Sequence, residues 1–500
     1  MTLNLLNQGI ANKSERYTLL PFRFMQFGNE MLLVNDFGEY TFLPGEVFRE
    51  FVNHKLDETA NHYKELESLH FLAKAVTPML IDLLAMRYKM RKIFLAGFTK
   101  LHILVVTLRC DHSCQYCQVS RQSPDKVKFD MSSETALRSV DLIFRSPAPA
   151  ITIEFQGGEP LLNFDTIKLV VNRAEELNKL AGKKIDFVIC TNLAPLTEEA
   201  LSFCKEHDIS ISTSLDGPEF IHNANRPNQK KDSYRVTLEN LARARQTLGI
   251  GKVAALMTTT RLSLDYPIEI IDEYVRQGFK SIFLRSLSPY GFAVRTHKKI
   301  GHDMSLFLDF YKKGFEYIIA LNRQGIDFVE CYARIILTKI LTPFSPGFVD
   351  LQSPAGIGIN VAVYNYDGKV YASDESRMLA EMGDDTFQIG DVNANSYEEI
   401  FGGPKLQNLM AASCNETLPG CSDCALQPYC GADPVYHYAT QKDIFGHRPT
   451  SGYCEKNMTI IKYLFEKIRS GDKELLKIFL AWVRYKNISE LTREPVLQPS

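Results

Sequence analysis

The sequence predicts an α/β fold in which a partial barrel of parallel strands is flanked by a small N-terminal α+β module and a C-terminal, metal-bound domain. Three observations predict it. Strands and amphipathic helices alternate from residue 100 to about 325, glycine, proline and cysteine become frequent after residue 345, and the cysteines cluster. The 500 residues are enough for several domains. We place them at residues 1–95, 96–325, 326–470 and 471–500, the last a helix with its tail.

Composition and charge exclude several classes of protein. The chain has 57 Lys and Arg against 59 Asp and Glu, a net charge of −2, and 45% of its residues are hydrophobic. This balance gives no reason to expect a nucleic-acid or membrane-surface partner. Residues 1–17 lack the apolar core of a secretory signal, and the apolar stretch 93–108 is too short to span a bilayer. We therefore expect a cytoplasmic protein with no nucleic-acid and no membrane partner.

The N-terminal module is predicted to contain three short strands followed by helices. The strands are expected at residues 16–24, 31–35 and 38–42, with a turn at Asp36-Phe37-Gly38. Helical spacing of apolar residues follows at 45–53, 60–71 and 78–92.

The middle of the chain alternates between short β-branched runs and longer amphipathic segments. Strands are predicted at residues 102–108, 150–156, 185–190, 209–215, 253–258 and 281–286. Helices are predicted at residues 132–144, 165–180, 197–206, 234–247, 268–277 and 305–322, the first capped by Ser132. Six βα units in succession imply a parallel sheet with right-handed crossovers, and a partial (β/α)6 barrel has its site at the C-terminal strand ends. After residue 345 regular periodicity fades, except for a helix at 473–485.

Residues of unusual chemistry follow four of these strands. Cys110 comes after the first strand, Gly157-Gly158-Glu159-Pro160 after the second, Thr191-Asn192 after the third and Asp216-Gly217 after the fourth. Because the ends of parallel strands meet at one rim, we expect a single active site there. A turn aspartate such as Asp216 is structural in many proteins, and the sequence leaves both roles open.

The 11 cysteines fall mainly into two groups. Cys110, Cys114 and Cys117 lie within eight residues, and five more lie between residues 414 and 454. An odd count in a large chain argues against a disulfide framework, and tight thiolate groups bind zinc or iron–sulfur clusters. Three thiolates leave one iron of a four-iron cluster open for chemistry, whereas four thiolates close it. Zinc remains the alternative at both groups. Cys190, Cys204 and Cys331 are interpreted as core residues.

The first group resembles the radical S-adenosylmethionine (SAM) superfamily over residues 100–325, because Tyr116 precedes the last cysteine and Gly-Gly-Glu-Pro follows the next strand. The resemblance implies that Cys110, Cys114 and Cys117 hold a catalytic [4Fe–4S] cluster that binds SAM, and that a 5′-deoxyadenosyl radical abstracts hydrogen from the substrate. The SAM contacts that it implies are backbone at Gly157 and Gly158, an ammonium acceptor at Glu159, adenine at Tyr116, and ribose or carboxylate at Asn192 and Ser214. Arg226 and Arg235, after the fourth strand, are each either a candidate carboxylate ligand or an ordinary surface arginine.

The second group resembles the SPASM auxiliary-cluster domain of peptide-modifying radical SAM enzymes. The resemblance implies one auxiliary [4Fe–4S] cluster bound by Cys421, Cys424, Cys430 and Cys454. A second auxiliary cluster is expected to be absent, because Ser353, Ser373 and Pro434 occupy positions where its cysteine ligands belong and serine is a poor ligand for iron. Cys414 is a spare thiol, a substitute ligand or a catalytic group; His437 is interpreted as a packing residue.

The N-terminal segments Leu20-Pro21-Phe22-Arg23-Phe24 and Leu32-Leu33-Val34-Asn35-Asp36-Phe37-Gly38 resemble the small winged-helix peptide-recognition element of peptide maturases, which binds a leader peptide by adding it as a strand to a sheet edge. A plain accessory domain is the alternative. Two further segments are Leu418-Pro-Gly-Cys-Ser-Asp-Cys424 and Cys430-Gly-Ala-Asp-Pro-Val435. With these and the segment at residues 20–24, the chain as a whole is similar to the radical SAM maturases of the His-Xaa-Ser repeat peptide system. That similarity implies a precursor peptide substrate, a second radical SAM protein as partner, and an electron donor such as flavodoxin or ferredoxin. We expect net oxidation, such as a crosslink. Two alternatives stay open: a sulfatase-type maturase that makes formylglycine, and a non-catalytic iron–sulfur or zinc protein.

Overall fold

The computed structural model describes residues 16–119, 121–228 and 232–486, so expectations for residues 1–15 and 487–500 lie outside the described residues. The N-terminal module contains a three-stranded antiparallel sheet, β2-β3-β4, and a two-stranded pair, β1-β5. Its strands are β1 Thr18–Leu19, β2 Phe22–Phe27, β3 Glu30–Asn35, β4 Tyr40–Pro44 and β5 Leu72–Ala73. Its helices are α1 Gly45–Val52, α2 Asn61–Ser68 and α3 Pro78–Arg91.

Strand β3 is buried on both faces of the small sheet. Leu33 packs into the module's own core with Phe51 and Leu66, whereas Leu32 and Val34 point to the opposite face and join the main core of the molecule. A strand covered on both sides has a continuous apolar sequence rather than an alternating one, which explains the Leu-Leu-Val run.

The barrel strands are β6 Leu101–Thr107, β7 Ala150–Gly157, β8 Lys184–Cys190, β9 Ser210–Ser214, β10 Val253–Leu256 and β11 Ser281–Ile282. The helices are α4 Lys126–Phe129, α5 Ser133–Ile143, α6 Phe164–Ala181, α7 Glu198–Glu206, α8 Glu219–Asn225, α9 Ser233–Leu248, α10 Pro267–Arg276, α11 Phe292–Ile300 and α12 Met304–Arg323. Strands β6 to β10 are parallel neighbours in chain order. Ser132 caps α5 as predicted, since its hydroxyl accepts from the Thr135 amide at 3.1 Å. The predicted α/β fold class is confirmed.

The sixth predicted strand is shorter than expected. β11 has two residues and pairs with β12, Val329–Glu330, in a separate parallel sheet rather than with β10. The backbone amide of Thr259 nevertheless donates to the Arg285 carbonyl at 2.9 Å. The segment after β11 therefore lies beside the segment after β10. The barrel therefore has five strands in one sheet and a sixth segment that pairs with β12 instead of with β10.

The region after residue 325 contains more regular structure than its sequence pattern predicts. Its strands are β12 Val329–Glu330, β13 Val361–Tyr364, β14 Lys369–Tyr371 and β15 Gln388–Asp391. Its helices are α13 Cys331–Leu341, α14 Asp374–Ala380, α15 Tyr397–Gly402, α16 Pro404–Ser413, α17 Pro434–Gln441, α18 Gly452–Arg469 and α19 Lys473–Arg484. β13 lies parallel to β6, and β14 and β15 extend the main sheet to eight strands. All of β13 is buried, which removes the alternation that would have revealed it.

The N-terminal module packs against this C-terminal region. Tyr40 and Phe42 contact the ring of Phe465 on α18, edge to face. Tyr429 donates its hydroxyl to the Gly38 carbonyl at 3.0 Å, and Arg23 donates to the backbone of Ser422, next to Cys421. The predicted peptide-recognition module therefore lies beside the second cysteine group.

Helix α19 closes the described structure. Trp482, the single tryptophan of the chain, is buried and its ring meets Phe315 of α12 edge to face. Within the three described ranges, no helix is long and apolar enough to cross a membrane.

We expect Trp482→Ala to lower the free energy of unfolding by about 3–5 kcal/mol, because it leaves a large cavity between α19 and α12. Ile250→Ala, at an exposed position, is the control and should change stability by less than about 0.5 kcal/mol. Urea unfolding followed by far-ultraviolet circular dichroism measures both. Equal midpoints for the two variants would show that α19 is not part of the cooperative core.

Candidate active site at the strand ends

A cavity of about 290 Å³ lies at the C-terminal ends of the barrel strands. It is lined by the three cysteines of the first group and by most of the other predicted site residues: Cys110, Cys114, Cys117, Tyr116, Gly157, Gly158, Asn192 and Ser214. Glu159 does not line it. Burial raises the pKa of the Cys114 thiol to about 11, and burial together with Glu159 raises that of Cys110 further. Thiols so placed are neutral until an electropositive ligand replaces their protons.

Gly157 and Gly158 are required by the close approach of two strand ends. A Cβ atom on Gly157, where φ is +150°, would lie 2.1 Å from the Thr107 carbonyl oxygen, and one on Gly158 would lie 2.2 Å from that of Arg109. The amides of Gly158 and Glu159 donate to these same two carbonyls, each at 2.8 Å. The end of β7 is thereby packed directly against the end of β6, one residue before Cys110.

Glu159 is fully buried and accepts hydrogen bonds from the chain itself. One carboxylate oxygen accepts from the Leu161 amide at 3.0 Å and the Thr191 hydroxyl at 2.7 Å, and the other from the Asn192 amide at 2.8 Å. Burial raises its pKa to about 7 despite these donors. This carboxylate joins the ends of β7 and β8, and its predicted contact with the SAM ammonium stays a prediction.

Tyr116 belongs to a buried network that the sequence did not indicate. Its hydroxyl donates to the Asp216 carboxylate at 2.7 Å and accepts from the Arg226 guanidinium at 2.7 Å. Arg226, a candidate surface arginine by sequence, is buried. The network joins the loop that carries Cys110 to Cys117, here called the cysteine loop, to the end of β9. Burial raises the pKa of Asp216, although the charge of Arg226 opposes this shift.

The cysteine loop is held by backbone and side-chain bonds. The amides of Ser113 and Gln115 donate to the carbonyls of Pro227 and Asn225, at 2.8 and 3.0 Å. Asn192 donates its amide to Asp111 at 2.7 Å and lies 4.0 Å from the Cys110 sulfur. Asn192 therefore contacts the loop, whatever else it binds.

Cys421, Cys424, Cys430 and Cys454 lie close enough together for their charges to interact. Burial raises the pKa of Cys430 to about 12, and the other three thiols add to the effect. The Arg448 guanidinium donates to the Cys421 sulfur at 3.0 Å. Cys414 lies apart, with its sulfur 3.2 Å from the Glu416 carboxylate, and His437 is buried against Arg448 and Ser451.

A second cavity, of about 510 Å³, adjoins the first. The two share lining residues on both sides of the barrel interior, Glu154, Gln156, Leu256, Arg285 and Asp374. Cys190 was interpreted as a core residue, which is wrong, because its thiol faces the first cavity and lies 3.2 Å from the Glu154 carboxylate. Polar residues in the middle of buried strands are the only sequence signal for this interior surface.

Residues 104–274 match the family model of the radical SAM superfamily. Over these residues the chain contains a radical SAM domain. It is 29% identical over 152 residues to the radical SAM cyclopropyl synthase TigE of Paramaledivibacter caminithermalis, covering 28% of this chain and 31% of TigE. It is 25% identical over 373 residues to a cysteine-type anaerobic sulfatase-maturating enzyme of Clostridium novyi, covering 71% of this chain and 93% of that enzyme.

For an uncharacterised protein of Methanocaldococcus jannaschii, 32% identical over 189 residues, the match covers 37% of this chain and 62% of the relative. The chain thus spans less than two thirds of this relative and of TigE. Among solved structures, anSMEcpe with bound AdoMet has a TM-score of 0.62 at 18% identity, covering 77% of this chain and 98% of its own. Streptococcus suis SuiB bound to precursor peptide SuiA has a TM-score of 0.52 at 14% identity, covering 87% and 99%. These likenesses concern the fold.

Radical SAM enzymes use a [4Fe–4S] cluster and SAM, and the residues of the first cavity fit both. Three thiols face one space, and the Thr213 hydroxyl and the His112 Nε2 atom are buried at its wall without a hydrogen-bond partner in the described structure. Such atoms are suited to a polar ligand. No group of three or more His, Cys, Asp or Glu among the described residues is placed to hold a single metal ion. A four-iron cluster instead takes one thiolate on each iron.

We expect Gly158→Ala to destabilise the protein by about 3 kcal/mol and to reduce iron incorporation, because its Cβ collides with rigid backbone. Gly251→Ala, where a Cβ meets nothing within 4 Å, is the matched control and should behave as wild type. Thermal unfolding and iron content after anaerobic reconstitution measure both effects. Normal iron content in Gly158→Ala would refute the view that the β6–β7 contact positions the cysteine loop.

Proposed function

We propose that the chain is a radical SAM maturase that modifies a ribosomally made peptide or a protein. The main support is that the two cavities adjoin and share lining residues. A substrate in the larger cavity would therefore reach the space beside Cys110, Cys114 and Cys117. A volume of about 510 Å³ accepts a side chain together with flanking backbone. The similarity to a sulfatase-maturating enzyme over 71% of this chain supports a polypeptide substrate.

The residues of the first cavity have separate tasks in this proposal. Cys110, Cys114 and Cys117 hold the cluster, and Gly157, Gly158, Asn192 and Ser214 contact SAM. When bound, the cluster and SAM supply a 5′-deoxyadenosyl radical that abstracts hydrogen from the substrate. Glu159 and the network of Tyr116, Asp216 and Arg226 hold the strand ends and the cysteine loop in place. Tyr116 also lines the first cavity and would contact the adenine of SAM.

The second cysteine group is proposed to bind one auxiliary [4Fe–4S] cluster through Cys421, Cys424, Cys430 and Cys454. Their mutual electrostatic interaction and the Arg448 contact support this, since a cationic donor stabilises thiolate. Ser353 and Ser373 have other tasks: Ser353 bonds to Glu416, and Ser373 caps α14. The four cysteines would hold a cluster able to supply an electron acceptor, which favours net oxidation of the substrate, such as a crosslink. Flavodoxin or ferredoxin is the proposed electron donor for the enzyme.

The N-terminal module, residues 1–95, is proposed to bind the leader of the substrate. The leader would add as a strand to the edge of the module's sheet. β2 is an edge strand, and Phe24 on it is half exposed and packs against the ring of Phe48 at a tilt of 48°. The bond from Arg23 to Ser422 joins this strand to the second cysteine group. A leader bound here would direct the following residues toward the larger cavity.

A precursor of the His-Xaa-Ser repeat type is the proposed substrate, with a second radical SAM protein as partner. The motif resemblance and the replaced cysteine positions support it. A formylglycine-forming sulfatase maturase is the second candidate, because the similarity to the Clostridium novyi enzyme covers 93% of that enzyme.

We expect the reconstituted wild type to hold about eight irons and Cys110/Cys114/Cys117→Ala to hold about four, with loss of SAM cleavage. Cys421/Cys424→Ala should also hold about four but still cleave SAM, because its first cluster is intact. Cys204→Ala, a buried cysteine outside both groups, is the matched control. Iron and sulfide assays with chromatography of 5′-deoxyadenosine give the result. Zinc without iron would refute the radical SAM reaction, and about twelve irons would refute a single auxiliary cluster.

We expect a synthetic His-Xaa-Ser repeat precursor to lose two hydrogens on incubation with the enzyme, SAM and reductant, because net oxidation removes them. Mass spectrometry with fragment sequencing measures this. A sulfatase-derived peptide incubated in parallel tests the second candidate, which predicts conversion of its Cys or Ser to an aldehyde. A product of unchanged mass with an inverted stereocentre would contradict net oxidation.

A further inference from the structure

The larger cavity has an excess of negative charge on its wall. Five carboxyl groups line it, against two cationic side chains, Arg285 and Lys456; the five are those of Glu154, Asp350, Asp374, Glu375 and Asp433. These residues come from strand β7, from helix α14 and from the loops around the second cysteine group. Separate parts of the fold therefore direct like charges into one space.

Three of the five carboxylates are already engaged with the protein. Asp374 pairs with Arg377 at 3.0 Å, Asp433 caps α17, and Glu154 accepts from Gln156 at 2.6 Å. Glu375 and Asp350 form no ion pair within the described ranges. Burial and the nearby Asp350 raise the pKa of Glu375, and burial with Asp350 raises that of Asp433 to about 7. Gathering these groups costs free energy that a cation in the cavity would offset.

A second observation points to a ligand in the same space. Tyr290 lines this cavity and is only 2% exposed, yet its hydroxyl has no hydrogen-bond partner in the part of the chain that the structure describes. After burial, the charges of Asp433 and Glu375 are the main causes of its raised pKa, so the hydroxyl lies near both. A buried hydroxyl without a partner is costly unless a ligand supplies one.

The two cations on the wall act mainly on Asp350. Lys456 and Arg285 both lower the pKa of Asp350, and Lys456 also lowers that of Asp433, whereas the main charges that act on the pKa of Glu375 are other carboxylates. Lys456 lies over the rings of Tyr332 and Tyr453, with its ammonium 5.3 and 5.5 Å from the two centroids. Burial lowers its pKa even though Asp350 opposes the effect. Two cations against five carboxylates leave a deficit, and the aromatic rings show that a cation is accommodated in this wall.

We propose that this cavity binds a cationic side chain of the substrate, the ammonium of lysine or the guanidinium of arginine, between Glu375, Asp433 and the Tyr290 hydroxyl. This inference rests on the proposed function as a peptide or protein maturase and names the chemistry that the substrate presents. The bound cation holds the flanking backbone where the two cavities meet.

The test measures binding by ligand-observed NMR on full-length, reconstituted enzyme, without turnover. The probes are N-acetyl-lysine methylamide and its uncharged isostere N-acetyl-norleucine methylamide. We expect the lysine probe to bind wild type at least about tenfold more tightly, a factor that corresponds to ~1.4 kcal/mol. Glu375→Gln should remove most of this preference, and Tyr290→Phe should reduce it severalfold. Glu381→Gln, at the end of the same helix but outside the cavity, should keep it.

Equal affinity for the two probes in wild type, or an unchanged preference in Glu375→Gln, would overturn the proposal. Tyr290→Phe protects the test against misfolding, because it removes a hydroxyl that bonds to nothing in the described structure. Peptide modification, measured separately by mass spectrometry, distinguishes failure of the cation site from failure of the proposed function. A protein that prefers the lysine probe but modifies no peptide would support the cation site and contradict the maturase, whereas peptide modification without a probe preference would do the reverse.

Discussion

The close contact between the ends of β6 and β7 is the constraint on which the active site depends. Gly157 and Gly158 allow two strand ends to meet at backbone distance, and two backbone hydrogen bonds fix that contact. Cys110 follows immediately, so the cysteine loop begins from a rigid point. Glu159 extends the contact to β8, and Tyr116 extends it to β9. The first role of the two glycines is thus to let the strand ends pack closely. Their backbone can face a ligand in the cavity because of this packing.

The rest of the molecule is arranged around the interior that this contact creates. The main sheet continues from β6 into β13, β14 and β15, so the C-terminal region is an extension of the barrel rather than a separate body. The N-terminal module packs on the same region through aromatic contacts with Phe465. A peptide bound to the module, the second cysteine group and the larger cavity would all lie on one route toward the first cysteine group.

Signals that depend on neighbouring residues in the sequence, such as apolar periodicity, predicted the structure correctly. Strand and helix positions in residues 100–280 followed from apolar periodicity, and the rim of unusual residues followed from the rule that parallel strand ends meet. Where the chain is buried on every side, as at β13, periodicity vanishes and the strand was missed. The sixth barrel strand is shorter than predicted, because the ladder with β12 ends at Ile282. Beyond it the Leu284 amide donates to the Glu330 side chain and the Arg285 carbonyl accepts from the Thr259 amide.

The sequence by itself determined the fold class, the superfamily resemblance and the two cysteine groups, because spacing along the chain expresses ligand number and strand period directly. Only the tertiary structure decided which side chains share a cavity. Arg226 is buried against Tyr116, Cys190 faces the interior, and Glu375 and Asp433 meet across a cavity from helices about 60 residues apart. These contacts depend on how separate helices and strands pack. The packing is stabilised by many contacts between residues that are distant in the chain, which no local sequence pattern expresses.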